Sequence, residues 1–587
     1  IIMHLNRREF NQLLTMAVGA GMFAGPVSAL AGSAKQDPYA IPKFGNTRLL
    51  HFTDTHAQLN PIYFREPNVN LGYGPAFGKA PHLVGKALIE KFSLKNPLLQ
   101  HAFTYINFSE AALKYGKVGG FAHLKTLIDR LRSEVGIEKS LLLDGGDTWQ
   151  GSGTAYWTRG RDMVGACNIL GVDVMTGHWE FTYQEEEIHN LVDELDAEFI
   201  AQNIRVTEEA LFDDAKAYDA DSGHAFKPYT IKEMDGVRVA VIGQAFPYTP
   251  IANPQRFIPN WSFGIRDNDM QELVNDIRSN EKPDAVVVLS HNGMDVDLKM
   301  ASIVSGVDVI LGGHTHDGVP GAIPVKNEGG TTLVTNAGSN GKFLGVMDLD
   351  IQNGKIKGYQ YKLLPVFSNL LEADKEMASY IETVRQPYIE TLSEELAVCD
   401  DLLYRRGNFN GTFDQLICDA QRAVGDAQIS LSPGFRWGTT VLPGQPITME
   451  NVMDQTAITY PETYVREMTG AEIKLILEDV CDNLFNLDPY YQQGGDMVRL
   501  GGMDYVCDPL EKINFRISNM QLDDGTIIDA TKKYKVAGWA TVGSQSPGKP
   551  IWDVVSEYLR DEKQVKIKKL NQPKLKNVKD NPGFSRV

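Results

Sequence analysis

Short, almost wholly apolar runs alternate with amphipathic stretches over the first two thirds of the chain. The runs are "RLLHF" (48–52), "SLLLD" (140–144), "VDVMT" (172–176), "VRVAVIG" (237–243), "DAVVVLS" (284–290) and "VDVILGG" (307–313). Runs with little polar alternation are the pattern of strands covered on both faces, and the stretches between them predict helices. Residues 46–365 therefore predict an α/β domain. A charged stretch, "EADKEMASYIETVRQPYIETLSEEL" at 372–396, predicts a helical connector over 366–396. A second, smaller α/β domain is expected over 397–560, with a helix at "GAEIKLILEDVCDNLF" and a strand at "KYKVAGW". The Lys-rich, Pro-broken stretch 561–587 predicts a loosely held basic tail, and no internal repeat is visible.

The two ends and the composition add little chemistry but set the context. Arg7-Arg8 precede a Gly- and Ala-rich apolar stretch from Leu13 to Leu30 and then small residues, which predicts a twin-arginine export signal over 1–33. The competing reading, a membrane anchor, fits less well because the stretch is barely long enough to span. A soluble, monomeric periplasmic protein is expected after signal removal; Ile1-Ile2 before Met3 have no assigned role. A net charge of -18 and a sequence pI near 5.2 argue against nucleic acid, which rewards clustered Lys and Arg. The 5 cysteines (167, 399, 418, 481, 507) contain no CxxC pair. They read as buried thiols, with one bridge among the last four as the alternative.

The chemistry sits just after five of the apolar runs. "FTDTH" supplies Asp54 and His56, "LLLDGGD" Asp144 and Asp147, and "VMTGHWE" His178 and Glu180; "VVVLSHNG" supplies His291, and "VILGGHTHDG" His314 and His316. In α/β sheets the carboxyl ends of strands converge on one crevice, so residues far apart in sequence become neighbours. One such histidine is usually a hydrogen-bonded structural residue; five of the 12 in the chain at such positions predict a metal centre. Nitrogen and oxygen ligands without thiolate suit Mn²⁺, Zn²⁺, Fe²⁺ or Co²⁺ rather than a Cys-built zinc site. An Asp shared by two ions would make a two-metal hydrolase centre.

These motifs, in this order, resemble the metallophosphoesterase domain of the 5′-nucleotidase family. The stretch "GDTWQGSGTAYWTRGRDMVGACNILGVDVMTGHWEF" follows the family closely, and "GTFDQLICDAQRAVGDAQISLSPGFRWG", "REMTGAEIKLILE" and "GGDMVRLGGMDYVCDP" are similar to its C-terminal substrate domain. The likeness covers about residues 46–560. It implies an N-terminal four-layer sandwich, sheets flanked by helices, followed by a smaller α/β substrate domain of nucleotidase type. Two departures stand out. Where the family has Gly-Asn-His-Glu-Phe-Asp, this chain has Gly177-His178-Trp179-Glu180-Phe181-Thr182, so its catalytic His–Asp dyad is replaced at both positions. About 60 residues are also inserted between His56 and "GKVGGFAHLKTLIDRLR", spanning about 58–115 and including "NPIYFREPNVNLGYGPAF".

With those departures the chain is similar to the thiosulfohydrolase (SoxB-type) branch of the family. That resemblance implies a periplasmic enzyme of thiosulfate oxidation, releasing sulfate from a cysteine S-thiosulfonate on the C-terminal arm of the carrier SoxYZ. The attacking group would be a hydroxide bridging two divalent ions, with Mn²⁺ expected and Zn²⁺ or another ion as alternatives. By motif order one ion takes Asp54, His56, Asp147 and His316, and the other Asp147, His178, His291 and His314. Trp179 would line the site, Asp144 and Glu180 would stand behind the ligands, and Arg436 with Arg405 or Arg406 would hold the sulfonate. A persulfide leaves far more readily than a sugar alkoxide, so loss of a proton-donating His is tolerable. The alternatives are a 5′-nucleotidase or 2′,3′-cyclic phosphodiesterase, with an aromatic clamp for the base in the second domain, and a silent metal-stabilised binding protein.

Overall fold

In the computed structural model, which describes residues 37–585, the strand Ala285–Ser290 sends Val286 and Val288 into one hydrophobic core and Val287 and Leu289 into another. Side chains alternate along a strand, so one whose two faces are both covered has no polar face to show. Its neighbours in the sheet follow the same rule.

The first domain holds two six-stranded sheets. In chain order the strands are β1 (Thr47–Phe52), β2 (Ser140–Asp144), β3 (Val174–Met175), β4 (Glu198–Phe199), β5 (Tyr229–Met234), β6 (Val237–Gln244), β7 (Ala285–Ser290), β8 (Val309–Gly312), β9 (Ile323–Asn327), β10 (Gly330–Asn336), β11 (Phe343–Gln352) and β12 (Lys355–Pro365). One sheet runs β12–β11–β1–β2–β3–β4 and the other β9–β10–β8–β7–β6–β5. The central neighbours β1–β2–β3 and β6–β7–β8 are parallel, so their carboxyl ends share one edge of the molecule. Leu49, Leu143, Val174, Val241, Val287 and Leu311 fill the space between the sheets. Helices cover the outer faces, giving the four-layer sandwich.

Residues 58–115 pack mainly on this domain, while Val69, Leu71 and Tyr73 enter the core of the second. The segment includes α1 (Phe108–Tyr115), and its Phe64, Leu83, Leu98 and Phe103 enter the same core as Val286 and Val288. Next comes α2 (Phe121–Val135), which buries Leu124, Leu127 and Leu131 against the first sheet. The run 172–176 makes only the two residues of β3, because both neighbours pair with Val174 and Met175 alone.

The connector is helical from Lys375 to Leu392, with one break. Its helix α3 (Lys375–Arg385), capped by Asp374, is interrupted at Pro387, one further helical turn covers Ile389–Leu392, and a strand follows at Glu395–Cys399. The second domain has a four-stranded sheet of β13 (Ile429–Ser432), β14 (Thr463–Thr469), β15 (Arg499–Gly501) and β16 (Lys533–Trp539), in the order β14–β16–β13–β15. Helices α4 (Thr412–Gly425) and α5 (Gly470–Phe485) pack on it. All five cysteines are free and buried, with Sγ of Cys481 and Cys507 3.6 Å apart.

The tail corrects the expectation of a loose end. Gln564–Val565 pairs with the strand Glu395–Cys399, and Lys574–Leu575 with Met503–Cys507. Asn571 is buried, its amide donating to Gln415, and Phe584 bridges back to Val69 in the insertion. Open strand edges accept any backbone, so a lysine-rich segment can pair through its amides while its ammonium groups stay in water. The predicted export signal lies outside the described residues. Among those residues no helix is long and apolar enough to cross a membrane.

Candidate metal centre

Loops leaving the carboxyl ends of β1, β2, β3, β7 and β8 bring seven of the predicted ligands into two buried clusters. One is Asp54, His56, Asp147 and His316; the other is Asp147, His178, His291 and His314; Asp147 belongs to both. Its Oδ2 lies 3.0 Å from His291 Nε2 and 3.6 Å from His56 Nε2, while Oδ1 is 3.2 Å from His178 Nδ1. Asp54 Oδ1 is 3.2 Å from His316 Nε2 and 3.6 Å from His291 Nε2. His56 Nε2 and His316 Nε2 approach to 3.0 Å.

Three observations say that cations fit here. The ring nitrogens His178 Nε2, His314 Nε2 and His316 Nδ1 are buried without a hydrogen-bond partner, and such groups are costly to bury unless something coordinates them. Asp54, His56, Asp147, His314 and His316 all have left-handed backbone, φ between 46° and 71°. That conformation costs a non-glycine residue roughly 1–3 kcal/mol and persists where the surroundings impose it; here it brings 54 and 56 into one cluster and divides 314 and 316 between the two. Gly313, just before His314, has no room for a side chain, since a Cβ would stand 2.3 Å from Thr53 Oγ1 and 2.8 Å from Asp54 Oδ2.

The electrostatics favour the ligand forms. Burial first, and then neighbouring cations, hold His314 and His316 well below the ordinary imidazole range, so both rings are neutral. Burial would raise Asp147, but His291 and His178 beside it keep its carboxyl well below the usual value. His56 is pushed down to about 4, chiefly by burial. Its Nδ1 lies 3.2 Å from the Gln150 carbonyl and His291 Nδ1 2.6 Å from that of Gly145, contacts that fix ring orientation.

The other predicted residues divide. Glu180 is fully buried behind the ligands: Oε2 accepts from the amides of Asp147 (3.2 Å) and His178 (2.8 Å), and Oε1 from those of Thr148 (2.6 Å) and Trp149 (3.2 Å). Asp144 also lies outside both clusters, accepting from the Gly146 amide and the Thr148 hydroxyl. Trp179 donates its backbone amide to Asp147 Oδ1 at 2.8 Å, but its ring enters the second domain's core against Phe435 and Trp437. Arg436 and Arg406 line a pocket opening on His314, each near Asp496. Arg405 does not. Its guanidinium is turned inward to Asp414 Oδ1 at 2.8 Å and the carbonyls of Gln455 and Trp437, which corrects its placement as a substrate ligand.

Several contributors were not foreseen. Phe246 stacks on His314 (centroids 4.0 Å apart) and leans on His178 (4.1 Å), and Trp437 stacks on His56 at 5.4 Å. Asn292, Asp317 and the pair His82–Asp295 line the pocket as well. Adjacency to His291, His316 and Arg436 in the sequence could have flagged Asn292, Asp317 and Trp437; nothing local flags Phe246 or His82.

Residues 400–552 match the family described as 5′-nucleotidase, C-terminal domain. A sulfate thiohydrolase SoxB of Thermus thermophilus, solved with glycerol, is 34% identical with a TM-score of 0.85, covering 92% of this chain and 98% of that one. A 5′-nucleotidase precursor, also from Thermus thermophilus, shares the fold, with 20% identity, a TM-score of 0.70 and coverage of 90% and 99%. The trifunctional nucleotide phosphoesterase YfkN of Bacillus subtilis is 26% identical over 480 residues, 74% of this chain; the chain spans 31% of that protein's length. A Vibrio cholerae 5′-nucleotidase is 25% identical over 437 residues, 65% of this chain and 75% of that protein.

Proposed function

This chain belongs to the SoxB family, within the 5′-nucleotidase superfamily of hydrolases, and from that membership we propose that it is a periplasmic thiosulfohydrolase. Its substrate would be a cysteine S-thiosulfonate on the arm of a SoxYZ-type carrier, and its export would follow the twin-arginine route. In the reaction, water adds its oxygen to the terminal sulfonate sulfur and the S–S bond breaks. Sulfate leaves, and the carrier keeps a persulfide that takes one of the water's protons. The observation that carries the reading is identity to a SoxB running through both domains, joined to replacement of the His–Asp dyad by Trp179 and Thr182.

Asp54, His56, Asp147 and His316 would hold one divalent ion, and Asp147, His178, His291 and His314 the other, with Mn²⁺ proposed and Zn²⁺ the alternative. Bound there, the ions would supply Lewis acidity toward an anionic tetrahedral centre and activate water. The remaining work falls to the chain. Arg436 and Arg406 face the same pocket, and the buried Arg406 Nε has no protein partner, which leaves a donor for a sulfonate oxygen. Asp496 sits between the two guanidiniums and holds them in place. The indole of Trp179 offers no acid for the leaving group, which a persulfide does not need.

The nucleotidase reading keeps one point in its favour, the curated relatives. It requires an aromatic clamp for a base. Phe485 is the one benzene ring lining the pocket, while Phe435 and Trp437 are stacked on each other at 4.0 Å. The deciding assay is sulfate release from a thiosulfonated cysteine peptide in Mn²⁺, with AMP in parallel. Sulfate abolished by EDTA, without phosphate from AMP, is the expected result; phosphate without sulfate would return the chain to the nucleotidases.

A further inference from the structure

Away from the metal centre, the insertion, the second domain and the C-terminal segment line an open cavity of about 1060 Å³ that shares no lining residue with the active-site pocket. Its wall carries Arg65, Lys86 and Lys568 together with the first residues of α1. Arg65 is only 3% exposed. Its guanidinium lies between two phenol rings, 3.9 Å from the centroid of Tyr404 and 4.9 Å from that of Tyr105. Among the described residues it makes one side-chain hydrogen bond, from Nη1 to Asn68 Oδ1 at 3.4 Å, and no ion pair. Burial lowers its pKa from the ordinary arginine value, and only the two tyrosines act in the other direction. Buried arginines are normally matched by a carboxylate; this one has only the Asn68 amide oxygen and two ring faces.

A second feature faces the same space. Helix α1 begins at Asn107, whose backbone is left-handed (φ 50°) and whose side chain does not cap the helix. Asn107, Phe108, Ser109 and Glu110 all line the cavity. An N-terminus without a side-chain cap presents amide donors and a partial positive charge, the ordinary recognition element for an oxyanion. Carboxylates are present on the wall. Asp401 is engaged by the Ile567 amide, and Glu110 makes no ion pair with Arg65.

We propose that this cavity is a binding site for a free tetrahedral oxyanion of the sulfate or phosphate class, held between the Arg65 guanidinium and the first amides of α1. A planar guanidinium offers two parallel donors to such an anion, and the flanking rings keep the fork rigid. The proposal holds whichever ester or sulfonate the metal centre cleaves.

Crystals of the metal-loaded full chain soaked in selenate test it by anomalous selenium scattering. A peak beside Arg65 in the wild type, absent from Arg65→Met, is the expected result. Selenium at the metal centre alone, or nowhere, would overturn the proposal. Thermal unfolding in sulfate against chloride at equal ionic strength gives a solution counterpart. The wild type should show a sulfate-specific rise in Tm that Arg65→Met loses and Arg65→Lys keeps in part; an equal rise in all three would place the anion elsewhere and overturn it. The wild-type soak stands even where a variant fails to fold.

Discussion

Trp179 of the first domain meets Trp437 of the second edge to face, ring centroids 5.0 Å apart, and Trp437 in turn stacks on His56 of the candidate metal centre. The residue that replaces the family's catalytic histidine is thus a joint between the domains. Its backbone holds Asp147, while its ring, 5% exposed, anchors the second domain's aromatic cluster.

Trp179→Ala should therefore cost stability before it costs chemistry. Emptying a buried tryptophan site typically destabilises by about 3–5 kcal/mol. Chemical denaturation should show that loss, whereas the metal content of the folded fraction stays at the wild-type level. A variant as stable as the wild type would mean that the ring is not packed as described.

Trp179→His with Thr182→Asp restores the family's dyad in sequence. The fold opposes it in part, because Thr182 Oγ1 lies 2.5 Å from Thr459 Oγ1 across the domain boundary and the new carboxylate must be accommodated there. The expected outcome is slower sulfate release together with new phosphate release from AMP. A positioned general acid contributes about 10²–10⁴-fold, so a gain near the lower limit is anticipated. Unchanged sulfate turnover in this double variant would remove the leaving-group argument.

Glu180→Gln tests the support behind the ligands. Four backbone amides converge on its two oxygens, and an amide NH₂ in place of one oxygen would face donors with a donor. Losing such a partner typically weakens metal affinity about 10–100-fold. Competition with a fluorescent chelator should reveal that drop with the fold intact by circular dichroism; equal affinity would make Glu180 a filler.

The candidate ligands were legible because the chemistry of a metal centre confines it to few residue types at strand ends. Asp54, His56 and Asp147 follow β1 and β2 directly, and His291 follows β7. The arginines were not so readable. Arg405 and Arg406 are adjacent, yet one turns inward to Asp414 and the other lines the pocket, a choice made by packing against α4 rather than by local sequence. Phe246 escaped notice because an aromatic beside a strand reads as core, and only the tertiary fold lays it on His314. The tail was misjudged because lysine content reports solvation of side chains and says nothing of backbone pairing. Arg65 looks like a surface residue in "NPIYFREPNVN", and its burial depends on Tyr404, more than three hundred residues away.

The interface between the domains also carries a pH signature. Asp454 is buried, accepting from Gln58 Nε2 at 3.3 Å and Thr439 Oγ1 at 3.2 Å. Burial first, and then the charge of Glu450, push its carboxyl up to about 8 from 3.8, against those two hydrogen bonds. Below pH 3.8 the folded and unfolded states both carry the proton. Between 3.8 and about 8 the unfolded state has released a proton that the folded state keeps, so rising pH erodes stability through that window. Above it the loss is complete and level. Asp454→Asn has no proton to release, so its Tm relative to the wild type should climb as pH rises from about 4 to about 8 and then stay constant. Parallel Tm profiles for the two proteins across that range would mean that Asp454 ionises in the fold as easily as in water, and that the contact between Gln58 and the second domain is wet.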